Sequence, residues 1–379
     1  MLQWAKCQVY DAINFVINLS QKPVKKQTLL LIRTNNMGDY VLWRDMLKYI
    51  RASKRFQGHH ITLLGNAAWK GLFESLDKGT VDEVIWADMG RFKADMRYRY
   101  HLLKQIHDTG YETVINTLHT RCKRMDDAFT IVCNSARRIG QASDDTNVYS
   151  FEKGYDNNLF HELYPDERSF EFEFDRSIDF TEFFLQAPLP EGIKAEISSP
   201  ESLPDELKAK DYFILFPGSS SPTRIWKAEN FKKVGEFISE RYGWIPVVCG
   251  SKGDKPFADA LKAIYTGPII DMVGRTNLMQ FSKVLKEAKL TVSIDTGTVH
   301  LAAVSGGTVF ALFNGSHYGR YNPYPDYINP NIYGIYPDEV DRDLNKAPIP
   351  DKYNFPVHFD YNSISAEKVC KVIAENIKV

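Results

Sequence analysis

Residues 288–315 read AKLTVSIDTGTVHLAAVSGGTVFALFNG, and this stretch decides the fold class. Leu290 to Ile294 is a short run rich in β-branched and apolar residues, which is typical of a buried strand. A polar glycine turn follows, then a predicted helix over 299–304, and then a second apolar run from Thr308 to Phe313. The pattern predicts a β-α-β unit whose two strands are parallel neighbours.

The turn before this helix is a candidate phosphate site. A helix that begins here leaves its first backbone N–H groups without intrahelical partners and places the positive end of its dipole at the turn. The sequence Asp295-Thr296-Gly297-Thr298, followed by His300, stands at the carboxyl end of a predicted strand, where open α/β sheets bind ligands. A crossover without any ligand would have the same β-α-β pattern, so the interpretation needs support from elsewhere in the chain.

Length and composition indicate an ordinary two-domain protein. The chain has 379 residues, 44% of them hydrophobic, and a net charge of −1, which gives no general attraction for nucleic acid. Its five cysteines are scattered without C-x-x-C spacing, which argues against a disulfide framework and against a zinc site. No apolar run is long enough to cross a membrane, and polar residues interrupt the start of the chain, so no secretory signal is predicted. We therefore expect a cytoplasmic protein.

Strand-like and helix-like segments alternate in two regions of the chain, which predicts two open parallel sheets covered by helices. Strands are predicted at 28–32, 61–64, 84–86, 113–116 and 138–139, and then at 212–216, 245–249, 269–272, 290–294 and 308–313. The alternation is lost over 150–210, where Glu171 to Phe174 resembles an edge strand, and residues 316–360 show little periodicity. The predicted domains are an N-terminal helix with a basic linker (1–26), a first Rossmann-like domain (27–186), a linker (187–210), a second Rossmann-like domain (211–360) and a closing helix (361–379).

Two further strand-to-helix turns carry polar groups. The first, Arg33-Thr34-Asn35-Asn36-Met37-Gly38-Asp39, places the carboxylate of Asp39 at the start of a helix, where it is either a cap or a functional group. The second, Pro217-Gly218-Ser219-Ser220-Ser221-Pro222-Thr223-Arg224, offers hydroxyls, a glycine and one arginine, and is either a phosphate cradle or a surface loop.

The N-terminal segment 2–19 has apolar residues at near-helical spacing and is followed by the basic run Lys22 to Lys26. Such a helix either packs on its own domain or lies on an anionic membrane surface. We favour packing, because the basic run is short and single membrane signals bind weakly.

Two similar sheets with polar turns at their strand ends make a cleft between the domains the expected site. A carboxylate, Asp39, opposite a phosphate-bearing ligand suits transfer of a group from a nucleotide-activated donor to a hydroxyl. The carboxylate would remove the hydroxyl proton, while backbone N–H groups and Arg224 would stabilise the departing diphosphate.

Beyond the N-terminal helix, nearly the whole chain resembles glycosyltransferase family 9, the ADP-heptose:lipopolysaccharide heptosyltransferase family, with the matching segments in the same order. LLLIRTNNMGDYVL resembles the family's opening strand and glycine-aspartate turn, ARRIG at 136–140 its Arg-Ile-Gly, and FPGSSSPTRIWKAENF its His-Pro-Gly and Lys-x-Trp segment. The most specific likeness is DMVGRTNLMQFSKVLKEAKLTVSIDTGTVHLAAVSGGTVFALFNG, in which Gly274, Thr276 and Leu278 precede Asp295 at the family's spacing. The resemblance implies the GT-B fold, which is two Rossmann-like, doubly wound α/β domains facing across a cleft.

The resemblance also implies roles for individual residues. Asp39 would be the general base of an inverting, metal-independent glycosyltransferase that needs no cofactor. The residues implied to bind the nucleotide-sugar donor are Ser219, Ser220, Arg224, Asp295, Thr296, Gly297, Thr298 and His300, with Gly218, Gly250, Met272 and Gly274 as further candidates. The acceptor would be a hydroxyl of a lipopolysaccharide core or related surface glycan, with peripheral contact at the inner membrane surface as a further expectation.

Three residues depart from the family pattern, and they bear on which donor the protein binds more than on the class of reaction. Phe216 stands where the family usually has histidine, Arg224 where it has lysine, and Asp45 where it has proline. Arginine keeps the charge but replaces a point charge with a planar fork. The single D-x-D motif, Asp341-Arg342-Asp343, lies outside the strand-end turns and is interpreted as a solvated charge run.

Three alternatives remain at this stage. One is a GT-B transferase that uses a UDP- or GDP-sugar for polysaccharide synthesis. Another is a non-catalytic sugar-nucleotide-binding or scaffold protein, which would not need Asp39. A dehydrogenase is disfavoured because no G-x-G-x-x-G follows the first strand.

Overall fold

A computed structural model describes residues 2–143, 155–165, 170–219, 221, 224–357 and 359–378. The chain divides into two compact units. Unit 1 comprises 1–168 and 175–191, and unit 2 comprises 169–174 and 192–379. The last passage from unit 1 to unit 2, between Glu191 and Gly192, lies inside the segment predicted as a linker.

Unit 1 is built on a parallel sheet of six strands in the order β3-β2-β1-β4-β5-β6. Its strands are β1 (Lys25–Arg33), β2 (His60–Asn66), β3 (Glu83–Ala87), β4 (Tyr111–Asn116), β5 (Arg137–Gln141) and β6 (Glu162–Tyr164). The central strands consist of buried apolar residues along most of their length, as expected for a parallel sheet covered on both faces. The strand order reverses between β1 and β4, which makes that position the switch point of the sheet.

The helices of unit 1 connect these strands and build its core. They are α1 (Leu2–Asn18), α2 (Met37–Val41), α3 (Met46–Ala52), α4 (Lys70–Leu76), α5 (Met89–Ala94), α6 (Met96–Thr109) and α7 (Asp126–Val132), followed by α8 (Glu173–Leu185), which begins in unit 2. Gly110 ends α6 in the left-handed conformation, and its Cα lies so close to the Pro23 carbonyl that a Cβ would approach that oxygen to 2.5 Å.

Unit 2 contains a second parallel sheet of six strands in the order β12-β11-β10-β7-β8-β9. Its strands are β7 (Tyr212–Phe216), β8 (Ile245–Val248), β9 (Ile270–Asp271), β10 (Thr291–Ile294), β11 (Val309–Leu312) and β12 (Ile332–Ile335). The predicted β-α-β unit is present as β10, a helix and β11, with the two strands parallel and in direct contact. The switch point of this sheet lies between β7 and β10.

The helices of unit 2 are α9 (Ala228–Tyr242), α10 (Lys255–Ile264), α11 (Leu278–Glu287), α12 (Gly297–Val304), α13 (Asp338–Leu344) and α14 (Ala366–Asn376). The buried face of α14 carries Val369 and Ile373 into the same core as α9 and the central strands. The predicted closing helix is therefore part of the unit 2 core.

One prediction about an irregular segment is wrong. Glu171 to Phe174 forms no strand, because α8 begins at Glu173, and both Phe172 and Phe174 are buried. Residues 316–360 contain β12 and α13, although they lack periodicity. Short edge strands such as β6 and β12 carry little pattern, since only a few residues of each contact the core.

Among the described helices, none is long and apolar enough to cross a membrane.

Candidate functional site

The turn after β10 has the capping geometry that its sequence suggests. Thr296 is the N-cap of α12, with extended backbone angles, and its hydroxyl accepts a hydrogen bond from the Thr298 backbone N–H at 3.3 Å. Gly297 is the first residue of the helix, and the Ser293 hydroxyl lies 3.4 Å from that of Thr296. The positive end of the α12 dipole therefore faces the carboxyl edge of the sheet.

The turn after β7 reaches this same position. The guanidinium Nη1 of Arg224 donates to the Asp295 carbonyl at 3.3 Å and lies 3.5 Å from the Asp295 carboxylate. Two candidates that are 71 residues apart in the chain thus meet at the switch point between β7 and β10. The Arg224 side chain is still 43% exposed, so the guanidinium can also contact a ligand.

Arg224 is held in place by the segment that precedes α14. The buried Trp226 donates its indole N–H to the Ile364 carbonyl at 2.9 Å. Asn362 donates to the Ile225 carbonyl at 3.0 Å and accepts from the Lys227 backbone N–H at 2.9 Å. The chain on the C-terminal side of Arg224 is therefore fixed by two side chains that the sequence analysis did not select.

Of the serines in the turn after β7, Ser219 and Ser221 are among the described residues. The Ser219 hydroxyl donates to the Ser221 carbonyl at 3.0 Å and accepts from the Ser221 backbone N–H at 3.1 Å, which closes a tight turn. Ser220 lies outside the described residues. Phe216, where the family usually has histidine, ends β7 as a buried residue near the ring of Phe281.

Asp254 is a candidate that sequence reasoning missed. Its carboxylate accepts from the backbone N–H and the hydroxyl of Ser251, both at 2.7 Å, just after β8. A Cβ on Gly218 would lie 2.2 Å from this carboxylate, and a Cβ on Gly250 would lie 2.7 Å from the Asp254 Cβ. Both glycines are thus needed for the close approach of Asp254 to the two strand ends. The spacing of an acid behind a glycine turn, Gly250-Ser251-Lys252-Gly253-Asp254, was the available signal.

The remaining glycine and methionine candidates continue this edge toward β9. Gly274 has a left-handed backbone with φ of 68°, and its N–H donates to the Gly250 carbonyl at 2.8 Å. Met272 is buried, and its N–H donates to the Val248 carbonyl at 2.9 Å. The structure therefore brings Gly218, Gly250 and Gly274 together along one edge of the sheet.

His300 lies one turn into α12 and is buried. Its Nδ1 lies 2.5 Å from the hydroxyl of Tyr324, and its ring is edge-on to Tyr321 at 5.5 Å between centroids. Burial and the nearby Asp295 raise the pKa of Tyr324 well above its usual value, so this tyrosine stays a neutral phenol. Both tyrosines come from the segment with little periodicity, which therefore orients one of the candidate residues.

The candidate base, Asp39, lies in unit 1 at the start of α2, after β1. The buried Arg33 at the end of β1 donates to the Asp39 carbonyl at 2.7 Å and to the Thr117 carbonyl, after β4, at 2.8 Å. Arg33 thus connects the two strands at the switch point of this sheet and fixes the backbone of Asp39.

The residue after Asp39 anchors α2 from its other side. Tyr40 stacks on Trp69 with 3.9 Å between ring centroids and donates its hydroxyl to Asp77. Arg44 also binds Asp77, at 2.7 and 2.9 Å. The Asp39 carboxylate is only partly buried, while both residues that flank it, Gly38 and Tyr40, are buried.

A further acid, the partly buried Asp126, supports the turn. The Thr34 hydroxyl donates to Asp126 at 2.8 Å. Burial raises the pKa of the Asp126 carboxyl to about 6, with the neighbouring Asp127 adding to the rise and the Thr34 hydrogen bond opposing it. Asn66 holds the same turn by donating to the carbonyls of Thr34 and Asn35 at 3.1 and 3.2 Å.

The D-x-D motif is not a solvated charge run. Asp341 pairs with Lys368, and Asp343 is buried, accepts from the Tyr353 hydroxyl at 2.9 Å and pairs with Lys352 at 2.7 Å. These contacts give the motif a structural role in α13. No group of three or more potential metal-ligating side chains occurs among the described residues.

A surface depression of about 230 Å³ lies elsewhere, on unit 1 beside the end of α1 and β5. His107, Asn134 and Arg138 are among its lining residues. None of the candidate donor residues or Asp39 lines it, so we do not assign the candidate chemistry to this depression.

Comparison with known proteins shows which family the chain is similar to. The family model for glycosyltransferase family 9 (heptosyltransferase) matches residues 166–345, which include both turns that meet at Arg224 and Asp295. The chain is similar to glycosyltransferase family 9 over slightly less than half of its length. Among curated family 9 relatives, lipopolysaccharide heptosyltransferase 1 of Pseudomonas aeruginosa is 29% identical over 136 residues, which are 36% of this chain and 38% of that protein.

Lipopolysaccharide heptosyltransferase 3 of Escherichia coli is 25% identical over 148 residues, which are 38% of this chain and 43% of that protein. The matches thus span less than half the length of these family 9 relatives. The solved E. coli heptosyltransferase WaaC with ADP has a TM-score of 0.65 at 15% identity, covering 92% of this chain and 100% of that chain. This likeness supports the GT-B fold, with its two Rossmann-like parallel sheets.

Proposed function

We propose that this protein is an inverting, metal-independent glycosyltransferase that takes its sugar from an ADP-linked donor. By family default the sugar is a heptose, and the acceptor is a hydroxyl of a lipopolysaccharide core or related surface glycan. The observation that carries the proposal is the meeting of Arg224 and Asp295 at the start of α12, at the switch point of the unit 2 sheet.

The donor diphosphate would bind at the N-terminus of α12. Backbone N–H groups at 296–298 and the guanidinium of Arg224 would offer it hydrogen bonds, and the helix dipole favours the negative charge. The arginine fork can contact two phosphate oxygens at once. These fixed groups would supply the charge stabilisation that the leaving group needs, so the proposal requires no metal.

The nucleoside would extend from the diphosphate toward β8 and β9. The Asp254 carboxylate, at the ends of β7 and β8, is suited to accept hydrogen bonds from ribose hydroxyls. Gly250 and Gly274 allow the side chains of Asp254 and Lys252 to approach the backbone along this edge, since a Cβ on either glycine would lie 2.7 Å from one of them.

In the transfer step, Asp39 would take the proton from the acceptor hydroxyl as its oxygen attacks the anomeric carbon. A new carbon–oxygen bond forms on one face of the sugar while the bond to the diphosphate breaks on the other, which inverts the anomeric centre. The bonding electrons leave with the diphosphate as ADP. Fixing the Asp39 backbone through Arg33 would limit the motion of this base.

Nucleotide selectivity tests the proposal. Thermal unfolding of the full chain is measured with ADP, UDP, GDP, CMP or NAD, without added metal. Selective stabilisation by ADP is expected, because a ligand that binds only the folded state raises the unfolding temperature. Selective stabilisation by UDP or GDP would replace the donor while keeping the reaction class, and no response to any nucleotide would overturn the proposal.

A further inference from the structure

The first helix exposes an apolar face. Of the six large hydrophobic side chains that are exposed among the described residues, four lie within one segment, namely Val9 (45%), Phe15 (66%), Val16 (52%) and Leu19 (68%). Together with the exposed Ala12, they are spaced three and four residues apart, which places them on one side of α1 and of the turn that follows it. We call these five residues the outer face of α1.

The opposite side of α1 is firmly attached to unit 1. Tyr10 and Ile17 are buried, and the Tyr10 hydroxyl donates to the Lys93 carbonyl at 2.6 Å. Asp11 pairs with Arg124 at 2.7 Å. The predicted packing of the helix on its own domain is therefore present, and it leaves the outer face uncovered within unit 1.

The charge around the outer face is positive. Residues 1–26 contain four lysines, at positions 6, 22, 25 and 26, and a single acid, Asp11, which is paired with Arg124. All four lysines are exposed. An apolar stripe with lysines at both ends and no unpaired acid is complementary to a surface that is apolar inside and negative at its rim.

We propose that the outer face of α1 docks unit 1 on the surface of an anionic lipid bilayer. The helix would lie in the plane of the interface, with Phe15 and Leu19 among the acyl chains and the lysines at the headgroups. This orientation fits a helix that is too short and too polar to span a bilayer. The inference is independent of the proposed transferase activity.

A second copy of the chain fits this surface less well. A stable protein interface buries roughly 800 Å² on each partner, which is more than the exposed parts of four side chains can supply. In a symmetric pair of these helices, the lysines of one copy would also lie near those of the other.

Vesicle co-sedimentation of the full chain tests the proposal. The wild-type protein is expected to bind vesicles with about a third phosphatidylglycerol more tightly than neutral phosphatidylcholine vesicles, and to bind less at high salt. The double variant Phe15→Gln, Leu19→Gln is expected to lower the partition coefficient at least tenfold. The matched control is Phe355→Gln, since Phe355 is exposed to a similar degree (48%) in unit 2.

Both variants are expected to keep the wild-type unfolding temperature, because the substituted positions are exposed. A loss of vesicle binding is then not caused by a loss of folding. The proposal is overturned if the double variant binds anionic vesicles as tightly as wild type, or if wild type binds no vesicles. It is also overturned if the wild-type protein is a dimer and the double variant is a monomer, because the outer face would then be occupied by a second copy.

Discussion

At the scale of single residues, Arg224 connects the turn after β7 with the turn after β10 in unit 2. Its guanidinium contacts the carbonyl and the carboxylate of Asp295 and remains partly exposed. The pair is only partly buried, so its contribution to stability is small. We therefore expect changes at Arg224 to affect nucleotide binding far more than folding.

Arg224→Ala is expected to weaken ADP binding about tenfold to a hundredfold, the usual range for a lost hydrogen bond to a charged group. Arg224→Lys should retain part of the affinity, because the charge remains but the fork is lost. Calorimetric titration with ADP measures both. The control is Arg241→Ala, in the last turn of α9, which should bind ADP as wild type does. Equal affinity of the alanine variant and wild type would remove Arg224 from the donor site.

The raised pKa of Asp126 predicts how the free energy of unfolding depends on pH. Burial raises the pKa of its carboxyl to about 6 in the folded protein, against about 3.9 in an unfolded chain. The unfolded state therefore ionises first as the pH rises, so this group lowers the free energy of unfolding between about pH 4 and 6, and the loss persists above pH 6.

Asp126→Asn removes this titration while its amide oxygen can still accept from the Thr34 hydroxyl. The variant is expected to gain stability relative to wild type as the pH rises from about 4 to 7, by roughly 2 kcal/mol. Denaturant unfolding at several pH values measures the difference. If the difference in stability between the variant and wild type does not change with pH, the pKa of the Asp126 carboxyl is not raised in the folded protein.

At the scale of elements, the strand-end turns of unit 2 depend on close backbone approach. Gly250 and Gly253 stand in one short turn but differ in their surroundings. A Cβ on Gly250 would lie 2.7 Å from the Asp254 Cβ, whereas a Cβ on Gly253 would meet only the Ser251 hydroxyl at 3.5 Å, an ordinary contact. The two glycines are therefore a matched pair for testing the role of Asp254.

Gly250→Ala should displace Asp254 and weaken ADP binding at least tenfold, while Gly253→Ala should leave the affinity within about twofold of wild type. The same titration compares them. If both variants bind ADP equally well, Asp254 has no part in holding the nucleoside.

The segment before α14 acts on the turn after β7 through Asn362. Asn362→Ala removes the side-chain hydrogen bonds to the Ile225 carbonyl, from the Lys227 N–H and to Asp360. The first two hold the turn, so the variant is expected to weaken ADP binding about threefold to tenfold by loosening Arg224. Asn376→Ala, an exposed position in α14 whose amide donates to the Val372 carbonyl of the same helix, is the control. A loss of stability in Asn362→Ala without any loss of affinity would make this contact purely structural.

The elements that sequence could predict are those with strong periodicity. The run 290–294 and the turn after it predicted β10, α12 and β11, because each residue of a short parallel strand is buried and the turn carries its own caps. Asn362 and Tyr324 could not be predicted, because each acts on a residue distant in sequence. Asp254 was missed although the glycine turn that precedes it was a signal in the sequence. Edge strands β6 and β12 were missed because few of their residues are buried.

At the scale of the whole molecule, both units repeat one design. In each sheet an arginine connects the two strands of the switch point: Arg33 joins the ends of β1 and β4, and Arg224 joins those of β7 and β10. The candidate base lies at the first switch point and the candidate donor site at the second. Under the proposed function, the first would serve the acceptor hydroxyl and the second the nucleotide.

The most direct measurement is release of ADP from an ADP-heptose donor in the presence of a lipopolysaccharide-core acceptor, for wild type and Asp39→Asn. Wild type should release ADP only when the acceptor is present, and the variant should lose at least a hundredfold in rate while binding ADP normally, since it lacks the base. Transfer by Asp39→Asn at the wild-type rate, or no transfer by wild type from any nucleotide sugar, would contradict the account.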